Sequence, residues 1–185
     1  TFHKIMKEKR ILVTGSYGQI GIELVLELQK QYGKSNVIAS GRKQPPTLFK
    51  ENDVQYFQLD VGDTSKLNSI IVEQDVNYIV HNACILSAAG EKDPQLAYET
   101  NIQGLYNVLE VARQQNLYGI FVPSSIAAFG PSTPRDNTPN DVIMRPTTMY
   151  GISKVFTELI GEYYHNKYQL DFRSLRYPGI ISAES

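Results

Sequence analysis

The sequence predicts an α/β protein: one Rossmann-type, doubly wound parallel sheet with helices on both faces. Three observations carry that expectation. Strand-like and helix-like segments alternate along the chain. The strand-like runs are apolar throughout, as strands buried on both faces must be. Glycines at every third position, Gly15, Gly18 and Gly21, stand between the first such run and the first helical pattern. Right-handed crossovers then wind the sheet, and such sheets take ligands beyond the carboxyl ends of their strands.

The elements follow in order. Ile11 to Val13 reads as the first strand. From Ile20 to Leu28 apolar residues recur at helical spacing, and Gly33 suits the helix end. Val37 to Ala39 is a short second strand, Pro45-Pro46 marks a loop, and Val54 to Leu59 is the third strand. Ser65 is placed to cap a helix through Gln74. Tyr78 to Val80 makes the fourth strand, and a long helical pattern follows Asp93-Pro94 through Val111. Ile120 to Val122 is the fifth strand. The Pro-, Asn- and Thr-rich stretch from Pro131 to Pro146 is a surface loop; Tyr150 to Tyr168 is a helix and Phe172 to Tyr177 the last strand.

Composition removes several alternatives. A length of 185 residues with 42% hydrophobic content makes one domain's worth of core or slightly more. With 18 basic and 19 acidic residues, a net charge of −1 leaves no electrostatic footprint for nucleic acid. No apolar run reaches the ~18 residues of a membrane span. The single cysteine, Cys84, forms no intrachain disulfide and suits a reducing compartment. No Cys/His cluster has the spacing of a zinc site, so no metal is expected.

The glycine turn carries the first piece of chemistry. Gly15 permits the tight turn, Gly18 lets backbone approach a pyrophosphate, and Gly21 lets the helix lie against the sheet. The helix amino terminus offers free N–H groups to phosphate; the bland alternative is a merely structural turn. At the end of the second strand an acid would accept from the adenosine ribose of NAD. The chain instead reads Ser40-Gly41-Arg42-Lys43 there. On the residues alone that leans toward a 2′-phosphate and NADP; solvated loop charges are the alternative. Asp60, before Val61, can accept from an adenine amino group or cap the next helix. Asn82-Ala83 ends the fourth strand with small residues that let a ribose pass. Asn101 is a poor helix former, which suits a polar bridge to water or backbone.

The second piece lies downstream. The fifth strand leads into Ser124-Ser125, and Tyr150 and Lys154, four apart, share one helix face. A free phenol, with a pKa near 10, is too weakly acidic to act as a base at neutral pH. A neighbouring ammonium is expected to lower it, which is the tuning that a general base needs. Ser125 would hold the substrate oxygen. A surface aromatic–cation pair is the alternative, and joint placement with the glycine turn argues against it.

Together these residues resemble the extended short-chain dehydrogenase/reductases. Three runs, 124–131, 145–154 and 176–182, with Gly161-Glu162-Tyr163-Tyr164 and Ile85-Leu86-Ser87-Ala88, are similar to the L-threonine 3-dehydrogenases among them. The resemblance implies NAD-dependent oxidation of L-threonine to 2-amino-3-ketobutyrate. It makes Tyr150 the base, Lys154 its modulator, Ser125 the hydroxyl partner and Ser87 a substrate contact. It places Gly15, Gly18, Gln19, Ile20, Asp60, Ala83, Asn101 and Pro178 along the cofactor. Relatives usually carry Asp where this chain has Gly41, and they continue into a substrate-binding lobe beyond its last residue, so a C-terminally truncated, even inactive, dinucleotide-binding protein is one expectation. A nucleotide-sugar epimerase or dehydratase, sharing the same Ser, Tyr and Lys, is another. The resemblance further implies a homodimer through helices near 96–111 and 155–168. It implies mitochondrial location by analogy with animal members, cytoplasmic if bacterial. Lys4, Lys7, Lys9 and Arg10 read as a solvated basic lead-in rather than a leader remnant.

Overall fold

A computed structural model describes residues 8–180. The basic lead-in before Glu8, and the end of the last quoted run, Ile181-Ser182, lie outside the described residues. Six parallel strands, in the order β3-β2-β1-β4-β5-β7, form the main sheet. They are β1 (Ile11–Thr14), β2 (Val37–Gly41), β3 (Gln55–Gln58), β4 (Tyr78–His81), β5 (Gly119–Phe121) and β7 (Asp171–Arg173). A two-stranded parallel ladder joins β6 (Ser124–Ser125) to β8 (Arg176–Tyr177). The order reverses beside β1, which pairs with β2 on one side and β4 on the other. That reversal opens a crevice at the carboxyl ends of the strands.

Successive residues of each strand feed opposite faces. Leu12, Ile38 and Ile79 join a core with α3 (Thr64–Glu73), α6 (Gly104–Gln114) and α7 (Met149–Tyr168). Ile11, Val13, Val37 and Ala39 join a second core with α1 (Gln19–Tyr32) and α2 (Thr47–Glu51). This two-sided burial is why the inner strands carry no polar alternation, whereas the edge strands β3 and β7 are only partly buried and carry polar residues. Gly33 ends α1 at φ 89, where a side chain would be strained.

Three local expectations change. The loop after Pro46 folds into α2, anchored by fully buried Phe49. Asp63, not Ser65, caps α3; its side chain accepts from Lys66 N at 2.9 Å. The last strand is split in two. Pro123 separates β5 from β6, and the amides on either side of it still bond the last strand: Val122 N donates to Arg173 O and Ser124 N to Leu175 O, each at 2.9 Å. On the partner strand Ser174 donates its hydroxyl to Val122 O at 2.7 Å, a side-chain bond at the same split. β7 stands at one edge of the six-stranded sheet.

The helix after Asp93-Pro94 is real but not uniform. α5 (Pro94–Ala97) passes through a π-helical stretch, Tyr98–Gln103, into α6. Such a bulge turns a residue out of the ordinary helical register, commonly beside a functional site. No helix among the described residues is long and apolar enough to cross a membrane.

Candidate active site

A cleft of about 490 Å³ runs along the carboxyl ends of the strands. Its first wall is the turn between β1 and α1. An added Cβ on Gly15 would stand 2.6 Å from Ala83 Cα, and one on Gly21 would stand 2.7 Å from Gly15 O. Both glycines are therefore packed against backbone. Gly18 differs: a Cβ there would meet only Gly15 O, at 3.7 Å. Its backbone faces open space, so a ligand can approach the start of α1 closely.

Gln19 and Ile20, Gly41 and Arg42, Asp60 and Val61, Ala83, Ser125 and Pro178 line the same cleft. Asp60 does not cap α3; its Oδ1 accepts from Gly62 N at 2.9 Å. Two named residues stand elsewhere. Ser87 is exposed at the start of α4 (Ser87–Lys92), outside the lining. Asn101 lies in the π-helical stretch behind the wall rather than on it. It bridges backbone as a strand would: Ile85 N donates to its Oδ1 at 2.7 Å, and its Nδ2 donates to Ile85 O at 2.9 Å. That clamp holds the chain just after Cys84, so Asn101 positions the wall without lining it.

At the other end Ser125, Tyr150 and Lys154 converge. Thr148 caps α7, accepting from Gly151 N at 3.0 Å, and so sets Tyr150 on the first turn. Lys154 is only 7% exposed. Its Nζ donates to Pro123 O at 2.8 Å and stands 5.3 Å from the centre of the Tyr150 ring. Pro123 stands between β5 and β6, and its carbonyl takes the ammonium instead of a strand partner.

The electrostatics correct one expectation. Burial pushes the Tyr150 phenol above its ordinary range, and the neighbouring Cys84 adds to the rise. A hydrogen bond with Ser125 pulls it back only in part. Lys154, held on Pro123, does not by itself bring the phenol down. Burial likewise raises the Cys84 thiol, against the pull of Lys154. His81 shares this buried environment: desolvation and then the Lys154 charge lower it to about 3, so the ring is neutral across the working range. It pairs with Thr14 through Nδ1 and Oγ1 at 2.8 Å.

A second network braces this end. Glu158 accepts from Ser124 Oγ at 2.6 Å, from Arg176 Nε at 2.9 Å and from Arg176 Nη2 at 2.7 Å. Burial raises the Glu158 carboxyl, but Arg176 and Ser124 outweigh it and leave it below the usual range. Arg176 also donates to Asn140 O at 2.9 Å, tying down the long surface loop.

Sequence reasoning missed His81, Cys84, Tyr17, Lys43 and Tyr177 as cleft residues. His81 ends the parallel strand β4 and Cys84 follows it, a signal that could have found them. The role of Pro123 O is invisible in sequence, because any residue has a carbonyl.

A fold that reverses beside a glycine turn, with Ser, Tyr and Lys converging beyond it, agrees with the family comparison. Residues 11–184 match the model of the NAD dependent epimerase/dehydratase family. The chain belongs to the NAD dependent epimerase/dehydratase family. Among curated members, the mitochondrial L-threonine 3-dehydrogenase of Bos taurus is 48% identical over 96% of this chain and 47% of its own length. An uncharacterised epimerase/dehydratase of Staphylococcus saprophyticus is 44% identical over 94% of the chain and 54% of its own. Of solved members, the L-threonine dehydrogenase of Phytophthora infestans superposes with a TM-score of 0.89 at 50% identity, covering 96% of this chain and 56% of that one. The chain thus spans about half the length of the family relatives it matches.

The family's dinucleotide also suits the residues present. The Gly15–Gly21 turn leaves backbone open at Gly18. Both amide atoms of Asn82, on the cleft wall, are buried without a hydrogen-bond partner among the described residues, so a polar ligand has a donor and an acceptor to meet.

Proposed function

We propose that this chain is the dinucleotide-binding domain, over residues 1–185, of an L-threonine 3-dehydrogenase-like oxidoreductase. The observation that carries the reading is convergence. Ser125, Tyr150 and Lys154 meet at one end of a single cleft whose other end is the glycine turn. The likeness to threonine dehydrogenases at 48–50% identity supports the substrate.

A bound nicotinamide would supply the hydride acceptor and a positive charge near the phenol. The chain's own residues do the rest. Gly15, Gly18 and the start of α1 hold phosphate, and Asp60 and Val61 flank adenine. Ala83 and Pro178 close on the ribose and nicotinamide ends. Ser125 donates to the substrate hydroxyl oxygen and orients it. Tyr150 Oη accepts the hydroxyl proton, which requires the phenolate. Lys154, fixed on Pro123 O, keeps a positive charge beside that phenolate. Because burial holds the phenol high, activity rises with pH until Tyr150 is ionised.

Two copies pair in this reading, through exposed Tyr98 and Tyr106 on one helical run and Leu159 and Tyr163 on α7. Mitochondrial location rests on the names of the mammalian relatives.

The test is reduction of the cofactor by L-threonine. Tyr150→Phe should lower the rate by about 100-fold or more while cofactor affinity stays within about twofold. An unchanged rate overturns the assigned base. The shared Ser, Tyr and Lys also serve a nucleotide-sugar epimerase or dehydratase. Turnover of a UDP-hexose with none of L-threonine would replace the first reading by that one.

A further inference from the structure

The adenosine end of the cleft carries charge that the catalytic reading leaves unused. We propose that Arg42 and Lys43 form a subsite for a ribose 2′-phosphate, so that the chain takes NADP(H) in preference to NAD(H). This rests on the dinucleotide reading of the cleft and deepens it.

The argument begins at Gly41, the last residue of β2 and buried. An acid that accepts from both ribose hydroxyls of NAD would stand here. The chain has glycine instead, and an added Cβ would lie 2.9 Å from the Tyr56 hydroxyl, so a larger residue would first have to displace the tip of that side chain. Among the described residues lining the cleft, Asp60 is the one acid, and its Oδ1 is already engaged by Gly62 N. An unphosphorylated ribose therefore meets no carboxylate at the end of β2.

The backbone that follows is held, not loose. Tyr56 Oη donates to Lys43 O at 2.7 Å, and Gln58 Nε2 donates to Arg42 O at 2.8 Å. β3 thus fixes both residues by their carbonyls, while their exposed side chains line the cleft. Lys43 Nζ stands 5.6 Å over the ring of Tyr17, which belongs to the glycine turn. That contact draws the ammonium toward the phosphate-binding side. Among the described residues, neither cation pairs with a carboxylate. A guanidinium fork and an ammonium on a prearranged loop match a phosphate dianion, which accepts several charge-assisted hydrogen bonds. The missing carboxylate and the two cations act in one direction: the first removes the NAD contact, the second supplies the NADP contact.

Calorimetric titration of the 185-residue chain with NADP+ and NAD+ tests this directly, without turnover. NADP+ should bind about 10- to 100-fold more tightly, and 2′,5′-ADP should beat 5′-AMP by a similar factor. The advantage should shrink as salt rises. Arg42→Ala should bring the two cofactors to within about threefold of each other. Gly41→Asp in that background should reverse the order, although it must first displace Tyr56. If that double variant fails to fold, Arg42→Ala alone decides, since Arg42 packs into no core. Equal affinities, or tighter NAD+, in the unaltered chain overturn the subsite and leave the dinucleotide reading standing. Binding of neither cofactor overturns both.

Discussion

The two ends of the cleft are built on different principles. The glycine-turn end is held by close approach of backbone to backbone: Gly15 against Ala83, Gly21 against Gly15 and Ser16. The Tyr150 end is held by side-chain hydrogen bonds across long separations in sequence. Lys154 reaches Pro123, and Glu158 joins Ser124 to Arg176. The first kind of site does not tolerate an added atom at Gly15 or Gly21. The second tolerates changes of size but not the loss of a donor, an acceptor or a charge.

The sharpest break falls on the first end. Gly15→Ala adds a methyl where φ is +65 and Ala83 backbone is in the way. Strain and overpacking together should cost roughly 3 kcal/mol in chemical denaturation and abolish calorimetric cofactor binding. Retained binding would mean that the turn is not a phosphate cradle.

His81 joins the two ends, bonded to Thr14 of β1 and lowered in part by the Lys154 charge. Its folded value of about 3 lies below the ordinary 6.5, so the unfolded chain binds the extra proton between those values. Stability should therefore fall as pH drops from 6.5 toward 3, by up to about 1.4 kcal/mol per pH unit from this group. His81→Gln should flatten that slope in melts taken across the window. An unchanged slope would show that other groups carry the acid transition.

The mildest change sharpens the second end. Glu158→Gln keeps shape but removes the charge facing Arg176. A cost of about 1–2 kcal/mol is expected, since both groups retain some solvent. Cofactor affinity should stay within about twofold, because the pair braces β6 and not the glycine turn. Loss of cofactor binding would mean that the ends are not independent.

The elements near the glycine turn were legible because each residue there acts through a local property. Glycine spacing, an apolar run and a helix amino terminus are all written within about ten residues. Tyr150 and Lys154 were legible as a pair for the same reason. Asn101 was legible as a polar bridge, yet its place behind the wall was not, because the π-helical stretch moves it out of ordinary helical register. Ser87 was named from resemblance alone, and its exposed position at the start of α4 depends on how that segment turns after Ile85.

The succession of strands and helices, the parallel sheet and the glycine turn follow from sequence, since burial on both faces and short-range sterics dictate them, whereas the strand order with its reversal beside β1 is a tertiary result. Tertiary structure alone decided the protonation chemistry. Burial raised the Tyr150 phenol and lowered His81, and desolvation depends on everything packed around a group. It alone also brought the Tyr56 hydroxyl beside Gly41 and onto the Lys43 carbonyl, because contacts between strands are set by register rather than by nearness in the chain.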